Sequence, residues 1–167
     1  MDALDVVNLR VGGFNAPESG SLGDAFTTFA EFQQRGLIKH LSVSTVDTEQ
    51  IAEAQSIAPV VAMQNFYNVA NRQDDSLIDS LAVQGISSVP YFPLAGLSPL
   101  QSTELSSVAT RLQTTPMTIA VAWLLQRSPN ILLIPGTFTV THLLENIAGA
   151  GLVLDSDALA ELEVIVD

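Results

Sequence analysis

Apolar residues in this chain follow two periods in alternation. Short continuous runs rich in Val, Ile and Leu alternate with longer stretches in which apolar positions recur every third or fourth residue. The runs Leu4–Val11, His40–Ser44, Pro59–Asn65, Ile86–Tyr91 and Ile131–Ile134 read as strands. The stretches read as helices with one apolar face each: Phe26 and Phe29, Ile51 and Ala54, Ile78 and Leu81, Leu105 and Val108, Ile119 and Trp123, and Leu159 and Leu162. Boundary residues support this pattern. Ser21, Asp47 or Thr48 and Thr115 stand where helix N-caps stand, Asp74 and Asp75 open a helix, the last helix starts near Asp155, and Pro116 follows Thr115 at a first helical position, where its missing N–H costs nothing. Gly36 and Gly85 close helices.

Strand followed by helix, repeated along the chain, predicts an α/β fold with a parallel sheet and right-handed crossovers. About five such units suit either a doubly wound sheet or part of a (β/α)8 barrel. No repeat or internal boundary is evident, so residues 1–167 read as a single domain. Ile131–Ile134, uninterrupted by polar residues, is expected to be a strand buried on both faces. Pro135-Gly136-Thr137 then leads into a helix with hydroxyls crowding its first turn, a strand–turn–helix arrangement ready for an anion. The loop from Gly12 to Gly20 lacks the G-x-G-x-x-G order and reads as turn chemistry.

Composition narrows the function. With 47% hydrophobic and 14% charged residues in 167, the chain can bury a core. The net charge of −12, with six Lys and Arg, argues against nucleic acid. No apolar run approaches the ~18 residues of a membrane span, and Met1-Asp2-Ala3-Leu4-Asp5 has no basic signal start, so a cytoplasmic protein is expected. Zero cysteines exclude disulfides and thiol catalysis, and no His or carboxylate spacing suggests a metal. Trp123 reads as packing and His40 as a structural or surface residue.

Five segments carry a resemblance. Gly36-Leu37-Ile38-Lys39-His40-Leu41-Ser42-Val43-Ser44 is similar to a GxIRxIGxSN segment, Gln64-Asn65-Phe66-Tyr67-Asn68 to QxxYN, and Tyr91-Phe92-Pro93-Leu94 to YSPL. Ala122 to Arg127, then Ile134-Pro135-Gly136-Thr137 and Glu145-Asn146, resemble AWLLQR, IPG(T/K)S and EN. In this order they resemble the aldo/keto reductases, over essentially the whole chain. The resemblance implies a partial (β/α)8 barrel entered at about its fourth strand, since such barrels typically need ~250 residues.

It also implies chemistry. The family reduces carbonyls with NADPH, using a Tyr acid assisted by Lys, Asp and His. The first three would precede this stretch, and Arg10 stands where the pattern after Asp5 places the His. No catalytic residue is therefore expected here, and the chain alone should be silent. What remains resembles the cofactor half. Ser44 and Gln64 correspond to holders of the nicotinamide carboxamide, Tyr91 to the ring-stacking aromatic and Leu94 to the pyrophosphate loop. Gly136, Thr137 and Thr139 correspond to the loop at the adenosine 2′-phosphate, and Glu145 and Asn146 to adenine contacts. Thr45 departs from an Asn and Phe92 from a Ser, while His142 and Leu144 occupy positions where an Arg would grip the 2′-phosphate. A charge-assisted clamp outweighs neutral donors, so the expected hold on NADP(H) is weaker. The alternatives are a binding or assembly module, completed by self-association or a partner half-barrel along edges Val6–Arg10 and Ile131–Ile134, or a gene fragment without function.

Overall fold

The structure, a computed structural model, describes residues 3–14, 16–94 and 102–165. Close contacts divide the chain into two compact units, Met1–Phe66 with Leu77–Val89, and Tyr67–Ser76 with Pro90–Asp167.

The first unit is built on a four-stranded sheet, β1 (Leu4–Arg10), β2 (Ile38–Ser44), β3 (Val60–Gln64) and β4 (Ser87–Ser88), paired in that order. All pairings are parallel. Helices α1 (Gly23–Gln34), α2 (Thr48–Ile57) and most of α3 (Asp75–Val83) make the crossovers. Spatial order equals chain order. A doubly wound sheet reverses direction at a switch point, so the singly wound barrel alternative is the one realised. Leu41 and Val43 of β2, Met63 of β3 and Phe26, Ala54, Ile78 and Leu81 of the helices form the core.

Local signals set most boundaries. Asp47 caps α2 in a reciprocal box with Gln50. Gly36 and Gly85 end α1 and α3 at φ of +75° and +70°, a region that favours glycine. Ser21 stands one residue ahead of the cap position of α1, its Oγ accepting the Gly23 N–H at 3.0 Å. Leu22 holds that position without a side-chain bond; Ser21 bonds Glu53 of α2, and Glu53 also accepts the Leu22 N–H at 3.0 Å. The expected strand Ile86–Tyr91 contracts to β4, because Pro90 has no N–H to continue the ladder. β1 is an edge strand paired to β2 among the described residues, and its Leu4 and Val6 are exposed.

The second unit holds α4 (Thr103–Arg111), α5 (Pro116–Arg127), α6 (Val140–Gly151) and α7 (Ser156–Leu162). Thr115 caps α5, whose residues Thr118 to Leu124 are all buried. α6 crosses α5 at Gly149, where an added Cβ would lie 2.7 Å from the Val121 Cβ and 2.8 Å from the Thr118 carbonyl. Ile131–Ile134 corrects the sequence reading: it is extended, but only Ile131 makes a bridge, and no ladder forms. Nor is it buried on both faces. Ile131 is buried while Leu132 and Ile134, pointing the other way, are 57% and 48% exposed. A continuous apolar run becomes a two-sided strand only where neighbours supply ladder partners and cover both faces, and neither condition can be read from the run itself. The described sheet thus has four strands where about five were expected.

Candidate functional site

The C-terminal edge of the sheet carries the first group of site residues. Register places Arg10 beside Ser44 and Ser44 beside Gln64, so the last residues of three parallel strands stand side by side. Ligands of α/β barrels bind at this end of the strands. Ser44 is buried and Gln64 half-buried. Arg10 is exposed, and its guanidinium donates to the carbonyls of Gly13 at 2.7 Å and Phe14 at 3.0 Å, bracing the loop after its own strand.

The chain just beyond β2 is tightly held. Thr45 is buried at φ +56°, and its N–H donates to the Gln64 carbonyl at 3.0 Å. A Cβ on Gly12 would come within 2.4 Å of the Thr45 carbonyl oxygen. Asn65 clamps the next residue, accepting the Val46 N–H at 3.1 Å and donating to the Val46 carbonyl at 2.8 Å. A β-branched residue is a genuine outlier at positive φ, whereas Asn tolerates it. Thr45→Asn should therefore raise stability by about 0.5–1 kcal/mol. A urea midpoint that stays put or falls would show that the strain is relieved some other way.

The second unit carries the other group. Tyr91 and Phe92 pack edge to face, ring centroids 5.5 Å apart. Phe92 has φ +52°, and its carbonyl accepts from the Asn68 side chain at 3.3 Å, while Asn68 Oδ1 accepts the N–H groups of Ala70 and Asn71. Tyr91, Leu94, Met117, Ile134, Gly136 and Phe138 line a mostly apolar cavity of about 350 Å³. Thr139 caps α6 by accepting the His142 N–H at 3.2 Å, and Thr137 Oγ1 accepts the Thr139 N–H at 3.3 Å. The Glu145 carbonyl accepts from the Thr118 hydroxyl, and buried Asn146 lines a different groove, with Val121, Leu125 and Leu143. The structure thus gathers Tyr91, Leu94 and Gly136 around one cavity, puts Thr137 and Thr139 into the start of α6, and sets Asn146 apart from both. Ser44 and Gln64 belong to the first unit.

The second unit's three arginines are all engaged. Arg72 pairs with Glu163 at 2.7 Å and lies over the Trp123 ring at 4.5 Å. Arg111 pairs with Asp155 and Glu161, and Arg127 with Asp75. Tyr67, buried against Trp123, donates its hydroxyl to Asp75 at 2.6 Å. Burial first, and then this bond to a carboxylate, hold that hydroxyl far above the ordinary tyrosine range. Tyr67 is therefore a structural donor rather than a source of protons. The positioning amides Asn65 and Asn68 escape a reading by motif, although both lie within the Gln64–Asn68 segment.

A sequence model of the aldo/keto reductase family matches residues 1–167. Pyridoxine 4-dehydrogenase of Escherichia coli (strain K12) is 54% identical over 167 residues, covering 99% of this chain and 58% of the relative. An uncharacterised oxidoreductase of Schizosaccharomyces pombe is 39% identical over 141 residues, 84% of this chain and 46% of its own length. Among solved structures, a thermostable aldo-keto reductase in complex with the inhibitor epalrestat superposes with a TM-score of 0.82 at 27% identity, over 98% of this chain and 60% of that one. An aldo-keto reductase from Klebsiella pneumoniae in complex with NADPH gives 0.80 at 23%, over 97% and 58%. The chain thus spans 58% and 46% of the lengths of those two curated relatives. Among the described residues, no helix is long and apolar enough to cross a membrane.

Proposed function

The chain belongs to the aldo/keto reductase family of oxidoreductases, and on that footing we propose that its residues bind a nicotinamide dinucleotide. The observation that carries this reading is the register that sets Ser44 beside Gln64 at the C-terminal edge of the sheet. There a hydroxyl and an amide can hold a carboxamide, which needs both a donor and an acceptor. Tyr91 offers an aromatic face, Leu94 the pyrophosphate loop, Gly136, Thr137 and Thr139 the loop at the adenosine 2′ position, and Glu145 and Asn146 the adenine contacts. When bound, the nicotinamide gives or takes a hydride. The 54% identical relative is named for oxidation at position 4 of pyridoxine, so the substrate class proposed is a carbinol or aldehyde on a pyridine ring.

Binding and turnover separate in this proposal. Reducing a carbonyl requires a proton donor at its oxygen. Tyr67 has its hydroxyl committed to Asp75, Tyr91 is assigned to the nicotinamide, and the Arg10 guanidinium is not a group that gives up a proton. The 167-residue chain is therefore expected to bind cofactor without reducing pyridoxal. The test is calorimetric titration of NADPH and NADH into chain shown by circular dichroism to be folded, followed by an absorbance assay with pyridoxal. Saturable binding without turnover is expected. A folded chain that binds neither nucleotide would refute the cofactor reading, and robust turnover would refute the silence.

β1 favours a second reading. An edge strand that exposes Leu4 and Val6 to 47% and 52% offers both backbone groups and apolar surface to another strand. As an assembly module the chain would self-associate or accept a complementing half-barrel. Light scattering at micromolar concentration that finds a monomer, together with unchanged mass on adding the candidate half, would dismiss it.

A further inference from the structure

We propose that the adenosine end of this cofactor site does not distinguish a 2′-phosphate from a 2′-hydroxyl, so that NADH and NADPH bind with equal affinity. The inference rests on the dinucleotide reading above and concerns the specificity of that same site.

The sequence holds six Lys and Arg, and three of them, Arg72, Arg111 and Arg127, belong to the second unit. Those three are bonded to Glu163, to Asp155 and Glu161, and to Asp75. In the first unit Lys39 pairs with Asp5, Arg35 lies over the Phe32 ring and Arg10 braces Gly13 and Phe14. From Ile131 to Gly151, the segment that contains the candidate phosphate loop, the sequence has no Lys or Arg, and residues 95–101 have none either.

The side-chain donors of the loop are hydroxyls and the exposed His142 imidazole, with no Lys or Arg among them. Thr139 Oγ1 caps α6 as an acceptor, which leaves its O–H to donate, and Thr137 Oγ1 takes the Thr139 N–H while donating to the Thr139 carbonyl at 3.2 Å. A phosphate placed here would meet no guanidinium or ammonium, and would take the Thr137 hydroxyl only by breaking its bond to the Thr139 carbonyl. Around it stand Phe138, Val140 and Leu144, 106%, 73% and 60% exposed, which give an anion nothing in exchange for its water. Bonds to an ionised group reach their usual strength of about twice a neutral bond when donors are free to turn to it. A net charge of −12 adds a weak general repulsion.

The experiment is a titration of the full chain at pH 8 with NADH, NADPH, 5′-AMP and adenosine 2′,5′-bisphosphate. The dissociation constants within each pair are expected to agree within about threefold. Leu144→Arg, on an exposed position of α6, should tighten NADPH and the bisphosphate by about tenfold or more, as one charged bond allows, and leave NADH within about twofold. NADPH binding ten times tighter than NADH to the unaltered chain would overturn the inference and leave the cofactor reading standing. Failure of all four ligands to bind the folded chain would overturn both. A Leu144→Arg chain that binds both cofactors as before would overturn the placement of the 2′ position at α6.

Discussion

Trp123→Ala should destabilise the chain by about 3–5 kcal/mol, the range for removing a large buried aromatic. Trp123 is 2% exposed on α5, stacked on Tyr67 with ring centroids 6.0 Å apart and covered by the Arg72 guanidinium. Arg72 in turn reaches the carbonyls of Val69 at 2.8 Å and Leu162 at 2.6 Å, so the indole supports a cation that ties the 67–72 segment to the end of α7. Alanine would leave a cavity beneath Arg72 and remove one wall of the Tyr67 site. Trp123→Phe keeps a ring under the guanidinium and should recover about half of the loss. The chain has one tryptophan, so the urea midpoint must be followed by far-ultraviolet circular dichroism rather than indole fluorescence. A loss below about 1 kcal/mol would mean that the site collapses around the missing ring, and that Trp123 is not what holds Arg72 in place.

Asn65→Leu should cost about 2–5 kcal/mol while keeping the branched shape and the number of heavy atoms. The substitution removes both bonds to Val46, a fully buried residue, and leaves its N–H and carbonyl without those partners in the interior. Asn65→Asp provides the control. It keeps an acceptor for the Val46 N–H but sets a carboxylate against the Val46 carbonyl, and should be no more stable than leucine. If Asp restores stability, the N–H bond alone carries the effect. Both variants should also weaken cofactor binding, because the clamp sits one residue beyond Thr45 and fixes how Ser44 leaves the sheet.

Features that depend on neighbours in sequence were legible in it. Asp47 and Thr115 cap helices within three residues of themselves, the last helix starts beside Asp155, and Gly36 and Gly85 mark stops where φ turns positive. Features that depend on distant partners were not. Ser21 has the composition of a cap, yet it stands one residue early, accepting the Gly23 N–H while it donates to Glu53 on another helix. Ile131–Ile134 has the composition of a buried strand, yet its burial depends on what lies alongside. The candidate site divides in the same way. Ser44, Gln64, Tyr91, Leu94 and Gly136 are candidates drawn from short motifs. Their supports, Asn65 on Val46 and Asn68 on Phe92, act through bonds from side chain to backbone whose targets leave no mark in composition. Asn146 likewise lines a groove that meets the Tyr91 cavity only through Pro135, on a helix that packs closely on α5 at Gly149.

The coincidence of strand order with chain order bears on how the first unit comes to be folded. β2 adds to β1, β3 to β2 and β4 to β3, so every strand pairs with the one made immediately before it. Loop closure at each step spans a single crossover, which keeps contact order low for a parallel sheet and avoids the slow search for remote partners. During synthesis the growing sheet can take up strands as they emerge, with the newest edge always the next to be covered. Its folding should therefore proceed stepwise from the amino-terminal side, without a waiting period for a late segment to arrive.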